Sequence, residues 1–276
     1  MKRNRPIGIF DSGVGGLTVY RELKHRLPEE RFLYLGDTAR VPYGTKSAET
    51  IVKYSLQNGQ FLTTLGVKLL VVACNTASSY AMEAMVETFD VPVVGVIPSG
   101  VRKALELSRN RKIGVIATES TVASESYQEM ILQLEPSAEV CAKACPLLVP
   151  LVEDGWLDHP VTAEVSRIYL EDLKDRSIDT LILGCTHYPM LKKVISSVVG
   201  PGVNLVDSAE ALAGEIRQIL IALGLERRPD PAQPAEDAFY VTDSVARFRK
   251  VAEIFLARSV EQVQTIDLQN LPPAER

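Results

Sequence analysis

Cys74 and Cys185 each close a short apolar run, and each is followed at once by side chains that hydrogen-bond: Cys74-Asn-Thr-Ala-Ser and Cys185-Thr-His-Tyr-Pro. A single cysteine at the end of a strand is ordinarily a small buried hydrophobe. Two in equivalent settings, 111 residues apart, ask for a joint role. Thiols facing each other across a cleft can treat the two faces of one carbon alike. One sulfur removes a proton from one side, the other returns a proton from the opposite side, and a stereocentre is inverted. A thiolate is a workable base once a cation or a helix N-terminus lowers its pKa from ~8.5, and each cysteine precedes a predicted helix start. A pair of this kind titrates as a unit and gives a bell-shaped pH–rate profile.

Other side chains could support that chemistry. The segment Asp11-Ser-Gly-Val-Gly-Gly-Leu-Thr18 reads as a glycine-rich strand-to-helix turn, but it has neither the dinucleotide spacing nor a following Gly-Lys-Ser/Thr. What remains is a helix N-terminus open to a small anion, with Asp11 beside it to meet a substrate ammonium or orient a thiol. His187 lies close enough in sequence to reach the pocket of Cys185. Glu153 could pair with His187, although on the residues alone such an acid is more often a solvated loop residue. Cys141 and Cys145 lack the neighbours of a zinc site and read as structural; His25 and His159 read as surface residues. Two other classes stay open. One is a cysteine hydrolase with Cys185 as nucleophile and His187 as base, for which two residues along one turn is poor geometry. The other is a non-enzymatic anion-binding module built on the glycine-rich turn.

The elements that must position these residues alternate along the chain. Strands are expected at Ile7–Phe10, Phe32–Leu35, Leu69–Cys74, Val93–Ile97, Ile113–Ile116, Val140–Ala142, Leu181–Leu183, Asn204–Val206 and Phe239–Val241, apolar on both parities as in a parallel sheet. Helices are expected at Leu17–Leu27, Ala48–Leu65, Ser78–Thr88, Gly100–Ser108, Ser124–Leu134, Ala163–Leu173, Met190–Val199, Ala209–Leu223 and Val245–Phe255. This alternation means α/β. An internal echo sharpens it: Ile7-Gly-Ile-Phe-Asp-Ser12 resembles Ile113-Gly-Val-Ile-Ala-Thr118, and the two cysteine segments follow in the same order. The expectation is two similar parallel-sheet α/β domains related by a pseudo-twofold axis, with the active site in the cleft between them. Residues 98–207 form the second domain. Residues 1–97 plus 208–276 form a discontinuous first domain, with the Pro-rich stretch 227–234 as a loop.

Composition excludes several classes. The 276 residues are 46% hydrophobic and 24% charged, an ordinary globular balance. A net charge of −5 offers no general basic field to nucleic acid. No window reaches the ~18–20 apolar residues of a membrane span, and the first residues lack a signal-peptide core. These features are read as a cytoplasmic protein with reduced cysteines. Three histidines give little material for a metal site.

Seven blocks together resemble glutamate racemases of the cofactor-independent aspartate/glutamate racemase superfamily: IGIFDSGVGGLTV (7–19), YLGDTARVPYGTKS (34–47), VVACNTAS (71–78), VPVVGVIP (91–98), ATEST (117–121), PLVEDG (150–155) and LILGCTHYPML (181–191). The resemblance implies interconversion of L- and D-glutamate without pyridoxal phosphate or a metal, supplying D-glutamate for peptidoglycan. Cys74 would be the base towards D-glutamate and Cys185 towards L-glutamate, assisted by Asp11, Glu153 and His187. Ser12, Tyr43 and Gly44 would contact one end of the substrate, and Asn75, Thr76, Thr118, Thr121 and Thr186 the amino-acid end, with Asp11 and His187 also at the substrate. The partners implied are the small-molecule substrate and, because the family often dimerises, a second copy of the chain; nucleic acid and membrane are not among them.

Overall fold

Two all-parallel sheets carry the chain in the computed structural model, which describes residues 2–229 and 235–268. The first contains β1 (Ile7–Asp11), β2 (Phe32–Gly36), β3 (Leu69–Val72) and β4 (Val93–Gly95). The second contains β5 (Lys112–Ala117), β6 (Glu139–Ala144), β7 (Thr180–Gly184) and β8 (Asn204–Asp207). Two late strands, β9 (Ala238–Val241) and β10 (Val263–Thr265), extend the first sheet beyond β2. The orders are β10-β9-β2-β1-β3-β4 and β6-β5-β7-β8. The four-strand order β2-β1-β3-β4 is therefore repeated as β6-β5-β7-β8, which is the topology that the internal echo anticipates. Every residue of β1, β2, β3 and β7 is buried. Both faces of these strands are covered by helices, so their sequences are continuously apolar rather than alternating.

Several boundaries differ from the pattern-based expectation, each for a local reason. The strand expected to reach Cys74 ends at Val72, and Cys74 instead stands at the N-cap position of a helix, Asn75–Tyr80. A second helix, Met82–Thr88, follows where a single one was expected from Ser78. Val96 and Ile97, read as the end of a strand, begin the helix Val96–Leu107. Pro98 falls in its first turn, where no N–H is needed. An apolar run cannot report such a switch, because a buried strand and a buried helix start look alike. The short helices Glu119–Ala123 and Leu148–Glu153 were not anticipated, nor was β10, a three-residue edge strand. Residues 230–234 of the expected Pro-rich loop lie outside the described residues.

The amino ends of the first sheet's strands are held by a buried ion pair. Lys68 donates to the Glu30 carboxylate at 2.5 Å and to the carbonyls of Arg3 and Leu225 at 2.8 Å; both side chains of the pair are almost fully buried. The other Glu30 oxygen accepts from the Arg227 N–H at 2.8 Å. Removing one partner leaves a charge buried without compensation, a loss of about 3 kcal/mol or more. The Lys68→Met variant should therefore lower the unfolding free energy by about 3 kcal/mol in urea titration. Because the pair lies at the sheet edge away from the strands' carboxyl ends, the substrate KM should stay unchanged.

Candidate active site

The carboxyl ends of both sheets border one cavity of about 190 Å³. Ser12 and Gly13 enter it from the turn after β1, residues Val41 to Thr45 from the loop after β2, and Cys74, Asn75 and Thr76 from the turn after β3. The second sheet contributes Thr118 and Glu119 after β5, Pro146, Val149, Pro150 and Glu153 after β6, and Cys185, Thr186 and His187 after β7. Equivalent strands of the two sheets thus supply equivalent walls. The cavity is where ligands collect in open α/β sheets, beyond the carboxyl ends of the strands.

The two sulfurs stand in different surroundings. Cys74 Sγ lies 3.5 Å from Ser12 Oγ. Burial, together with the Asp11 charge, pushes the Cys74 thiol up to about 12, so it holds its proton. Cys185 Sγ lies 3.8 Å from His187 Nδ1. His187 Nε2 in turn meets Glu153 Oε1 at 3.1 Å, and Arg247 donates to Glu153 Oε2 at 2.9 Å. Burial alone would lower the imidazole pKa. The Cys185 and Glu153 partners outweigh it and raise His187 to about 10. Burial would raise the Glu153 carboxyl, but His187 and Arg247 hold it below the ordinary range. The ring is therefore an imidazolium between a sulfur and a carboxylate. His187 reaches the Cys185 sulfur with one residue between them, from the N-cap position of the 3₁₀ turn Tyr188–Leu191.

Asp11 and Thr121 are within reach of the cavity walls but do not line it. Asp11 is fully buried, and that burial raises its carboxyl pKa against the pull of His187 and the Gly13 and Gly16 N–H groups. It accepts from Gly13 N at 2.9 Å and from Thr186 Oγ1 at 3.4 Å. Thr121 joins Thr76 and Thr118 in a triangle of hydroxyls with sides of 2.9 to 3.0 Å, which ties the turn after β3 to the turn after β5. Thr118 also caps the helix Glu119–Ala123.

Some residues of the site were not expected from the sequence. Tyr127 donates to Asn75 Oδ1 at 2.7 Å, which leaves the Asn75 amide N–H groups for the cavity. Asp37, fully buried after β2, accepts from Tyr43 Oη, Arg40 and Thr242 and so sets the height of the Tyr43–Thr45 turn. Arg247 arrives from the far end of the chain. Tyr127 and Arg247 are distant in sequence from the residues they hold and ordinary in type, so only the fold brings them forward; Asp37 stands at a strand end within the block 34–47. Cys145 is buried, its thiol donating to Lys143 O at 3.6 Å, and Cys141 is half-buried near Ile113 O. His25 is exposed; His159 is exposed too, and accepts from Val161 N to cap the helix Pro160–Asp175. Among the described residues no group of three or more His, Cys, Asp or Glu could hold a metal ion, and no helix is long and apolar enough to cross a membrane.

Close approach of the two halves depends on missing side chains. A Cβ at Gly15 would meet Thr186 Oγ1 and the His187 ring, and one at Gly44 would meet Thr118. The Gly15→Ala variant should lose about 1–3 kcal/mol of stability and about 100-fold or more in turnover, because the ring beside Cys185 must move. Turnover and urea unfolding measured together check both.

His187 also predicts a pH dependence. Its folded pKa, about 10, lies above the ~6.5 of an imidazole in the unfolded chain. The charged ring therefore contributes stability that is fully present below ~6.5 and is lost as pH rises through about 10. The stability difference between the wild type and His187→Asn should shrink across that window, as read by unfolding at a series of pH values.

The chain is similar to known proteins in sequence and fold. The model of the Asp/Glu/Hydantoin racemase family matches residues 7–216. A glutamate racemase of Geobacter metallireducens is 48% identical over 265 residues, covering 96% of this chain and 97% of that protein. The crystal structure of a glutamate racemase isoform from Bacillus anthracis superposes with a TM-score of 0.91 at 38% identity, covering 96% of this chain and 98% of the other. The glutamate racemase of Francisella tularensis, solved in complex with D-glutamate, gives a TM-score of 0.91 at 37% identity over 98% of this chain and 100% of that one.

Proposed function

The chain belongs to the Asp/Glu/hydantoin racemase family and is a racemase, and from that premise we propose that it interconverts L- and D-glutamate by proton transfer between Cys74 and Cys185. The observation that carries the mechanism is that both thiols line the same cavity from equivalent strands of two sheets. The substrate class follows from relatives that match over nearly their whole length and are named glutamate racemases, one of them solved with D-glutamate.

The proton inventory supports a definite resting state. Cys74 keeps its proton because burial and Asp11 disfavour its thiolate. The base on the other face is assigned to Cys185, whose sulfur lies against the His187 imidazolium. L-glutamate then finds a base on one face and an acid on the other. Cys185 Sγ takes the α-proton, the C–H electron pair stays on Cα and its carboxylate, and the Cys74 S–H proton is delivered to the opposite face. D-glutamate leaves behind a Cys185 thiol and a Cys74 thiolate. The reverse reaction starts from that second form. The substrate ammonium eases it by offsetting the Asp11 charge that works against the Cys74 thiolate.

Hydroxyl and amide donors hold the carboxylates. Ser12, Tyr43 and Gly44 take one end of the substrate, and Asn75, Thr76, Thr118 and Thr186 the amino-acid end, with Thr121 bracing the two threonines beside it. Fixed donors around the α-carboxylate also stabilise the charge that develops as the proton leaves, which is usually the largest single catalytic contribution. Asp11 acts from behind this surface, through Thr186 and Gly13. Two bodies, divided near residues 97/98 and 207/208, would close over the substrate and keep the carbanion from water. In a bacterial cell the product would be the D-glutamate of peptidoglycan, made in the cytoplasm; a homodimer is the assembly proposed.

A hydrolase reading has one observation in its favour, the aligned Cys185, His187 and Glu153. It leaves Cys74 without a role. The two readings separate in one experiment. Each of Cys74→Ser and Cys185→Ser should lower racemisation by about 100-fold or more with the fold intact by circular dichroism. In D₂O the wild type should place deuterium on Cα of both enantiomers. A Cys74→Ser variant at wild-type rates would leave the hydrolase reading and overturn the racemase mechanism.

A further inference from the structure

The helix Val245–Leu256 belongs to the chain's last segment, whose strands β9 and β10 extend the first sheet, yet it touches the base cluster of the second sheet at two points. Near its start, Arg247 donates to Glu153 Oε2 at 2.9 Å, leaving Oε1 to face His187 Nε2. Near its end, the Phe255 ring meets the His187 ring edge-on, with centroids 5.5 Å apart and planes at 87°. Phe255 is almost fully buried and cannot swing away. An imidazole pinned at one nitrogen by a carboxylate and along its face by an aromatic edge has little rotational freedom. Its other nitrogen stays on the Cys185 sulfur.

The geometry points to Arg247 as a positioning residue for proton transfer at Cys185: it fixes Glu153, Glu153 fixes His187, and the helix that carries it forms a brace across the cleft. Arg247 touches neither substrate nor sulfur and acts only through this chain of contacts. The proposal rests on Cys185 being the base on the L-glutamate side. It also places the brace between the halves of the molecule, because Glu153 follows β6 of the second sheet while Arg247 follows β9 of the first. Opening the cleft breaks the Arg247–Glu153 pair and loosens the ring. Closing restores both. The guanidinium is largely exposed, so its effect should be modest and sensitive to salt.

Isotope effects read this most cleanly. The equilibrium between the enantiomers fixes the ratio of the two kcat/KM values, so no variant can make the enzyme favour one direction by that measure. A variant can still shift which proton transfer limits the rate. Arg247→Gln should lower kcat by about threefold to fivefold, with KM changed little. The primary isotope effect on kcat/KM with α-deuterated L-glutamate should rise, because transfer at Cys185 becomes more limiting. With α-deuterated D-glutamate it should fall towards its equilibrium value. Arg247→Lys, which keeps the charge, should return both effects most of the way. Added sodium chloride should lower wild-type kcat towards that of Arg247→Gln while changing the variant less. Isotope effects equal to wild type for both enantiomers, or shifted in the same sense for both, would overturn the positioning role. Full activity in Cys185→Ser is a different result, since it removes the base assignment on which the role rests.

Discussion

Thr186 docks the second sheet onto the first, beside the threonine triangle that also ties them together. Its carbonyl accepts from Thr18 Oγ1 at 2.9 Å, and its hydroxyl meets Asp11 at 3.4 Å. Both partners belong to the first sheet's glycine-rich turn and the helix after it, while Thr186 follows directly on Cys185. The contact is short enough that Gly15 has no room for a side chain. Everything chemical at the site follows from this docking. It sets Cys185 across the cavity from Cys74, brings His187 within electrostatic range of the Asp11 carboxyl, and lets the His187 ring sit between the halves. A parallel sheet exposes its strands' carboxyl ends at one edge. Joining two such edges gives a cavity with two chemically similar walls, as a reaction with two opposite faces requires.

The walls are alike in backbone and unlike in charge. Cys74 is backed by a buried carboxylate and a serine hydroxyl, Cys185 by an imidazolium held by a carboxylate. In the proposed two-base mechanism, this difference keeps the proton on Cys74 at rest. The cost of that mechanism lies in the other direction, where the Cys74 thiolate must form beside Asp11. A substrate that brings its own ammonium offsets part of that cost, so the empty and the occupied sites have different electrostatics. Burial makes both effects large, because charges in a water-poor cavity are weakly screened.

Much of this was legible in the residues. The alternation of apolar strands and helices fixed the fold class, and the repeated strand–cysteine–polar pattern anticipated two sheets of the same order. Cys74, Cys185, His187 and the glycine-rich turn stood out because their types and positions at strand ends are chemically unusual. What was hidden falls into two kinds. Local hidden features are places where backbone geometry changes within an apolar run, as at Cys74 and Val96, where a helix start takes over what reads as strand. Long-range ones are partners such as Tyr127 and Arg247, ordinary residues made important only by where folding places them. Glu153 shows the boundary between the kinds. In sequence it is an acid after an apolar run, and in space it completes the His187 cluster.

Exchange of the α-proton is the sharpest test of whether two sulfurs act on opposite faces of one carbon. L- and D-glutamate are each incubated in D₂O with wild type, Cys74→Ser and Cys185→Ser, and deuterium at Cα is followed by NMR before appreciable racemisation. Deuterium is expected on the product enantiomer with the wild type, with near-complete loss of racemisation in both variants. Any residual exchange should be confined to the enantiomer whose proton the remaining thiol can reach: L-glutamate for Cys74→Ser and D-glutamate for Cys185→Ser. Exchange of both enantiomers at comparable rates by a single-cysteine variant would contradict it, because one sulfur would then be serving both faces.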